Sequence, residues 1–305
     1  MTTPVVAVSD FTMQFGGRTA VDDIGFTVES GETFGLLGAN GSGKTTTVRA
    51  LLGIYPPTRG TLLIDGQPFD PRRGPRLGYL PEERGLYRKE CVLDVMIYFG
   101  RLKGLDRVAA ATWSAAYLDR VGLADLARTR LHKLSGGQQQ KVQLGVTIMH
   151  RPNLLILDEP TKGLDPINRR LLLDLVEEHR QAGATVIFIT HQMDEVERLC
   201  DRVLLLKDGR VEAYGTVPEV QDAYGGHTVQ IRYAGQLPAS SLWSVGTQER
   251  NYAELILGAE TEPQQVLRTL LDSGVEVRSF DSRRMSMEQV FLKIYGETPA
   301  EKAIG

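Results

Sequence analysis

The run Gly38-Ala39-Asn40-Gly41-Ser42-Gly43-Lys44-Thr45-Thr46 constrains this chain more than any other stretch. It fits the phosphate-loop pattern G-x-x-x-x-G-K-[ST]. Glu32-Thr33-Phe34-Gly35-Leu36-Leu37 before it reads as a buried strand, and Thr45 to Leu52 after it as a helix stopped by Gly53. Glycines let the backbone curl so that successive N–H groups face phosphate oxygens. The helix N-terminus adds partial positive charge. Lys44 can reach β- and γ-phosphates, and the Thr45 hydroxyl can ligate Mg²⁺. The competing reading, a glycine-rich turn with an exposed lysine, is weakened by the strand–loop–helix context.

At 305 residues the chain can hold one large domain, or one large and one small. The net charge of -3 gives no basic footprint for nucleic acid. The two cysteines, Cys91 and Cys200, lack metal-ligand spacing and read as reduced core thiols. Met1-Thr2-Thr3-Pro4-Val5 lacks a basic segment followed by an apolar core, so no signal peptide is expected. No apolar run approaches the roughly 20 residues that span a bilayer. Any membrane role therefore needs a second chain to supply the spans.

Residues 5–11 and 24–30 alternate in polarity like strands of an antiparallel sheet. Between them, Phe15 precedes Gly16-Gly17, where it could stack on an adenine ring or serve as a core or turn residue. Strands are expected over 60–65 and 77–81. Residues 91–127 read as helical, with Val92, Val95, Met96, Phe99 and Leu102 on one face, then Trp113, Ala116, Tyr117 and Val121 on a second helix. The aromatics there are expected in the core.

Leu134-Ser135-Gly136-Gly137-Gln138 opens another helix, running through Ile148. Its start is an ordinary N-cap or a second phosphate-binding end. Leu154 to Leu157 is a buried strand ending in Asp158-Glu159-Pro160, where open α/β sheets bind ligands. Asp158 can hold Mg²⁺, and Glu159 can orient or deprotonate a water. Asp165 and Pro166 suit an N-cap and first helical residue. Thr185 to Thr190 is a further buried strand, and His191 at its end is placed to contact a γ-phosphate. A helix over about 193–200, a hairpin turning at Asp208-Gly209 and a domain boundary within 215–226 follow. Beyond it, strands near 228–233, 253–257 and 275–280 and helices near 263–271 and 287–295 make a small α+β domain. It carries no evident chemistry and reads as a folding or dimerisation module rather than a ligand sensor.

As an ordered set, these motifs resemble the ATP-binding subunit of ABC transporters over about residues 5–215. Gly38–Thr45 matches the Walker A motif, Leu134–Gln138 the signature, Leu154–Glu159 Walker B, Gly163–Asp165 the D-loop and His191 the switch histidine. The run Gly78-Tyr79-Leu80-Pro81-Glu82-Glu83-Arg84-Gly85-Leu86-Tyr87 and the tail Met287-Glu288-Gln289-Val290-Phe291 look like the sodium-efflux and daunorubicin-export branch. The resemblance implies an α/β fold: a P-loop NTPase core with an antiparallel β subdomain and an inserted α-helical subdomain, plus the small C-terminal α+β domain. Residues 1–220 would be the ATP-binding domain, with the helical subdomain at about 88–150, and 227–305 the accessory domain.

It further implies ATP and Mg²⁺ as ligands. Two ATPase subunits, identical or homologous, would pair head to tail, driving a multi-span permease from the cytoplasmic face of the membrane. Nucleotide contacts would come from Phe15, Gly38, Ala39, Asn40, Gly41, Ser42, Gly43, Lys44, Thr45, Thr46 and Glu82. Across the pair, Ser135, Gly137, Gln138 and Asp165 would cap the phosphates. Thr45, Asp158 and Glu82 would hold the metal, and Glu159, His191 and Lys44 would serve catalysis. The family usually has glutamine where Glu82 stands, so an extra negative charge is expected beside the phosphates. The rival is a soluble ATP switch acting on ribosomes or DNA. A single cassette and the acidic balance count against it, and intact Lys44, Asp158, Glu159 and His191 count against a catalytically dead regulator.

Overall fold

The computed structural model describes residues 4–70, 77–83, 85–224, 227–258 and 261–296. The signal-peptide reading at Met1–Thr3 and Arg84 of the branch motif lie outside them. The described chain forms two compact units. The first comprises residues up to 192 together with 199–212; the second comprises 193–198 and the chain from 213 on.

The first unit begins with β1 (Val6–Phe15) and β2 (Arg18–Val28). Both are longer than their polarity alternation indicates, because Gly16 and Gly17 take φ of 52° and 85° and close a tight hairpin. β4 (Arg59–Ile64) joins the far side of β1, giving an antiparallel sheet in the order β2-β1-β4. The second sheet is the one that positions the site. It contains β3 (Thr33–Leu37), β5 (Leu77–Leu80), β6 (Leu154–Asp158), β7 (Thr185–Ile189), β8 (Arg202–Lys207) and β9 (Arg210–Thr216), in the order β5-β6-β7-β3-β8-β9. β5 through β8 pair in parallel. β3, β6 and β7 are buried at every residue, as expected of parallel strands covered on both faces. The parallel arrangement brings their C-terminal ends to one edge.

The helices of this unit are α1 (Lys44–Leu51), α2 (Val92–Leu102), α3 (Arg107–Arg120), α4 (Gly136–Ile148) and α5 (Pro166–Gln181). On α2, Val92, Val95 and Met96 are buried, but Phe99 is half-buried and Leu102 is 64% exposed, so the expected apolar face is only partly covered. Tyr87, Tyr98 and Phe99 instead form an outer aromatic cluster. On α3, Tyr117 is buried whereas Ala116 is exposed and Trp113 half-buried. The core-thiol reading holds for Cys200, which is buried; Cys91 is half-buried, its thiol donating to the Arg128 carbonyl.

α6 (Met193–Leu199) follows β7. In the second unit, α7 (Val217–Tyr224) occupies the stretch where a domain boundary is expected; its Pro218 sits in the first turn, where a missing N–H costs no helical bond. β10 (His227–Ala234), β11 (Trp243–Glu249), β12 (Tyr252–Leu257) and β13 (Glu276–Arg284) form an antiparallel sheet in the order β11-β12-β10-β13. α8 (Pro263–Asp272) adds Val266 and Leu270 to a core with Val229, Ile231, Tyr233 and Leu255. α9 (Met287–Tyr295) is capped by Ser286 and Gln289 in a reciprocal box.

Candidate nucleotide site

β3 runs into the loop that ends at α1. Gly38 has φ of 146°, and a Cβ there would stand 2.5 Å from the Leu206 carbonyl oxygen. Gly43, at φ 108°, immediately precedes α1 and provides no side-chain cap. The first N–H groups of the helix are thus left to an incoming acceptor. Lys44 is buried and donates from Nζ to the carbonyls of Gly38 (2.8 Å) and Ala39 (3.0 Å). Burial pushes its pKa down, against the opposing pull of Glu159, Asp158 and Glu82.

β6 delivers the two carboxylates. Asp158 is buried, and desolvation, helped by Glu82 and Glu159, pushes it up to about 6, while Lys44 and Arg49 oppose. Glu159 follows with φ of 49°, a left-handed conformation that costs a non-glycine residue about 1–3 kcal/mol. Its N–H donates to the Ile189 carbonyl at 2.8 Å, tying the ends of β6 and β7 together. Oε1 of Glu159 accepts from His191 Nδ1 at 2.7 Å, and its buried Oε2 has no protein partner. The same holds for Ser42 Oγ.

These groups surround one cavity of about 390 Å³ lined by Gly38, Ala39, Asn40, Gly41, Gly43, Lys44, Thr45, Thr46, Glu82, Asp158, Glu159 and His191, with Ala20 and Lys162. Ser135, Gly137, Gln138 and Asp165 are elsewhere, around a separate cavity of about 350 Å³. There Ser135 and Gln138 cap α4 reciprocally, and Asp165 accepts from the N–H groups of Ile167 and Asn168 at 3.1 Å. Both readings of the α4 start therefore remain compatible: the cap is made, and the glycine-lined end stays open. Phe15 belongs to neither cavity; it is 46% exposed and meets Tyr55 edge to face at 5.3 Å.

Three side chains that sequence reasoning passed over shape the first cavity. Lys162 places Nζ 2.6 Å from Glu82 Oε1. On α4, buried Gln140 donates to the Pro160 carbonyl at 2.9 Å, and buried Gln143 donates to the carbonyls of Pro81 and Glu83 at 3.2 Å each. A glutamine pair three residues apart on a helix is a visible signal, but its targets lie 20 and about 60 residues away.

Comparison with known proteins matches the ABC transporter family model at residues 21–162, and the C-terminal domain model of DrrA1-3-like ATP-binding proteins at 215–295. The chain is 43% identical to the uncharacterized ABC transporter ATP-binding protein MJ1023 of Methanocaldococcus jannaschii, over 71% of this chain and 79% of that one. It is 32% identical to the linearmycin resistance ATP-binding protein LnrL of Bacillus subtilis, over 93% and 96%. It is 33% identical to the Nod factor export ATP-binding protein I of Cupriavidus metallidurans, over 96% and 98%. The solved ATP-binding subunit of an ABC transporter superposes with a TM-score of 0.66 at 29% identity, covering 72% of this chain and 93% of that chain.

Proposed function

The chain belongs to the ATP-binding proteins of ABC transporters, and from that premise we propose that it hydrolyses ATP to drive a separate membrane-spanning permease in export. The observation that carries this reading is the convergence of Lys44, Asp158, Glu159, His191 and Glu82 on one cavity at the C-terminal edge of the parallel sheet. Export is favoured by relatives named for linearmycin resistance and Nod factor export. Among the described residues no helix is long and apolar enough to cross a membrane, and in this reading the subunit sits peripherally at the cytoplasmic face with the permease on another chain. The match at 215–295 supports reading 227–305 as an accessory α+β domain.

In this mechanism the loop N–H groups and Lys44 bind the β- and γ-phosphates, Lys44 leaving the loop carbonyls as it does so. Glu159 takes the proton of the attacking water, its carboxylate aimed by the left-handed backbone and by His191. Among the described residues no three His, Cys, Asp or Glu side chains are grouped to hold a metal alone. The hard oxygens of Asp158 and Thr45 suit Mg²⁺ when phosphate oxygens and waters complete its shell, and the ion would there neutralise developing phosphate charge. The family resemblance implies that a second subunit, paired by two-fold symmetry, presents Ser135 and Gly137 to the γ-phosphate, and the place of the signature end of α4 around its own cavity supports that reading.

The test is the Glu159→Gln variant. It keeps ATP binding while kcat falls at least about a hundredfold, since a general base is removed. Purified with ATP from detergent-solubilised membranes, it should bring down a multi-span protein identifiable by mass spectrometry. Near-normal turnover removes Glu159 from the base role. Recovery with ribosomal or DNA-repair proteins and no membrane protein overturns the transport reading.

A further inference from the structure

We infer that Lys162 is a positioning residue for Glu82: it fixes that carboxylate at the mouth of the phosphate cavity and supplies the charge that lets an acid stand there. The inference rests on the ATP-hydrolysing reading above and extends it to a side chain outside the recognised motifs.

The pair is built from behind by one helix. Gln143 of α4 holds the backbone on both sides of Glu82, through the Pro81 and Glu83 carbonyls. One turn earlier, Gln140 holds the Pro160 carbonyl, two residues before Lys162. The Lys162 N–H closes a turn onto the Glu159 carbonyl at 3.2 Å. Two loops 80 residues apart in the chain are thus set so that Lys162 Nζ and Glu82 Oε1 meet at 2.6 Å. The side chains are 59% and 44% exposed, and exposed ion pairs add little to stability. The contact therefore matters for where it places charge. Glu82, Asp158 and Glu159 all line the cavity, faced by the cations Lys44 and Lys162. A nucleotide brings several further negative charges to that wall. An amide side chain at 82 could offer the same oxygen with no such conflict, whereas the carboxylate needs a counter-charge.

A double-mutant cycle on the full chain tests this, with ATPase kinetics read at fixed Mg²⁺. Lys162→Ala should raise KM for ATP about tenfold, a coupling in the range of directly contacting residues. In the Glu82→Gln background the same change should alter KM by less than about twofold, because the amide needs no counter-ion. Lys162→Arg keeps the charge and should stay within about threefold of the parent. A thermal midpoint close to the parent's separates the KM effect from unfolding; Lys162→Gln serves as the second neutral variant. Equal KM changes in the two backgrounds overturn this inference and leave the hydrolysis reading intact. A parent chain that neither binds nor hydrolyses ATP overturns that reading, and this inference falls with it.

Discussion

Gly145 sits near the C-terminal end of α4, where a Cβ would stand 2.8 and 2.9 Å from Cδ1 and Cζ of Tyr117, and closer still to Cε1. The Tyr117 ring cannot swing aside freely. It is buried, stacked on Trp113 with centroids 5.0 Å apart, and its hydroxyl donates to the Lys141 carbonyl at 2.7 Å. Gly145→Ala gains about 1 kcal/mol in helix propensity. Against that, overpacking costs about 1–3 kcal/mol, and a displaced hydroxyl bond adds about 1 kcal/mol. The net expectation is about 2 kcal/mol of destabilisation, or about 4–8 °C in the midpoint of a unit of this size. Circular dichroism melts of Gly145→Ala read it directly. Adding Tyr117→Leu to Gly145→Ala should recover part of the loss, since the smaller side chain vacates the clash. A Gly145→Ala midpoint equal to or above the parent's would mean propensity alone governs the site, and would refute the close-approach argument. The effect bears on function because α4 carries Ser135 at one end and, further along, the two glutamines that anchor the Glu82 and Lys162 loops.

Two further outcomes concern charge. Lys44→Ala should abolish ATP-dependent turnover and weaken binding of a fluorescent ATP analogue; unchanged activity would sink the loop assignment. Lys103 is half-buried beside His150, and desolvation pushes it down to about 8 from an ordinary 10.5. Its native state sheds the proton first, so the unfolded chain binds more protons between those values and stability rises with pH there. Lys103→Met should therefore raise stability at pH 7 by on the order of 1–3 kcal/mol, a gain that shrinks from pH 8 to 10.5 in urea titrations; a pH-independent difference would refute the burial argument.

Much of the fold was legible because its signals are local. β3, β6 and β7 announce themselves as uninterrupted apolar runs, and the caps of α4 and α5 are written in Ser135, Gln138 and Asp165. Other elements left no such mark. β11 is exposed at every residue after Trp243, so it shows no alternation and is held by pairing to β12. α7 was masked by Pro218, which argues against a helix except in the first turn. The expected face of α2 failed at Leu102 because periodicity tells which residues share a face, not how far a partner covers it.

Short runs of sequence set the chemistry of the site: a glycine loop, a lysine, two adjacent carboxylates and a histidine, each at a strand end or helix start recognisable from its own residues. Tertiary structure alone decided which of them meet. β3 inserts between β7 and β8, so Lys44, Glu159 and His191 reach one cavity while Ser135 and Asp165 are turned to another. It also decided that Glu82 faces Lys162, a pairing across 80 residues. Strand order and loop placement are settled by packing between distant segments, and no short stretch of chain contains both partners of such a contact.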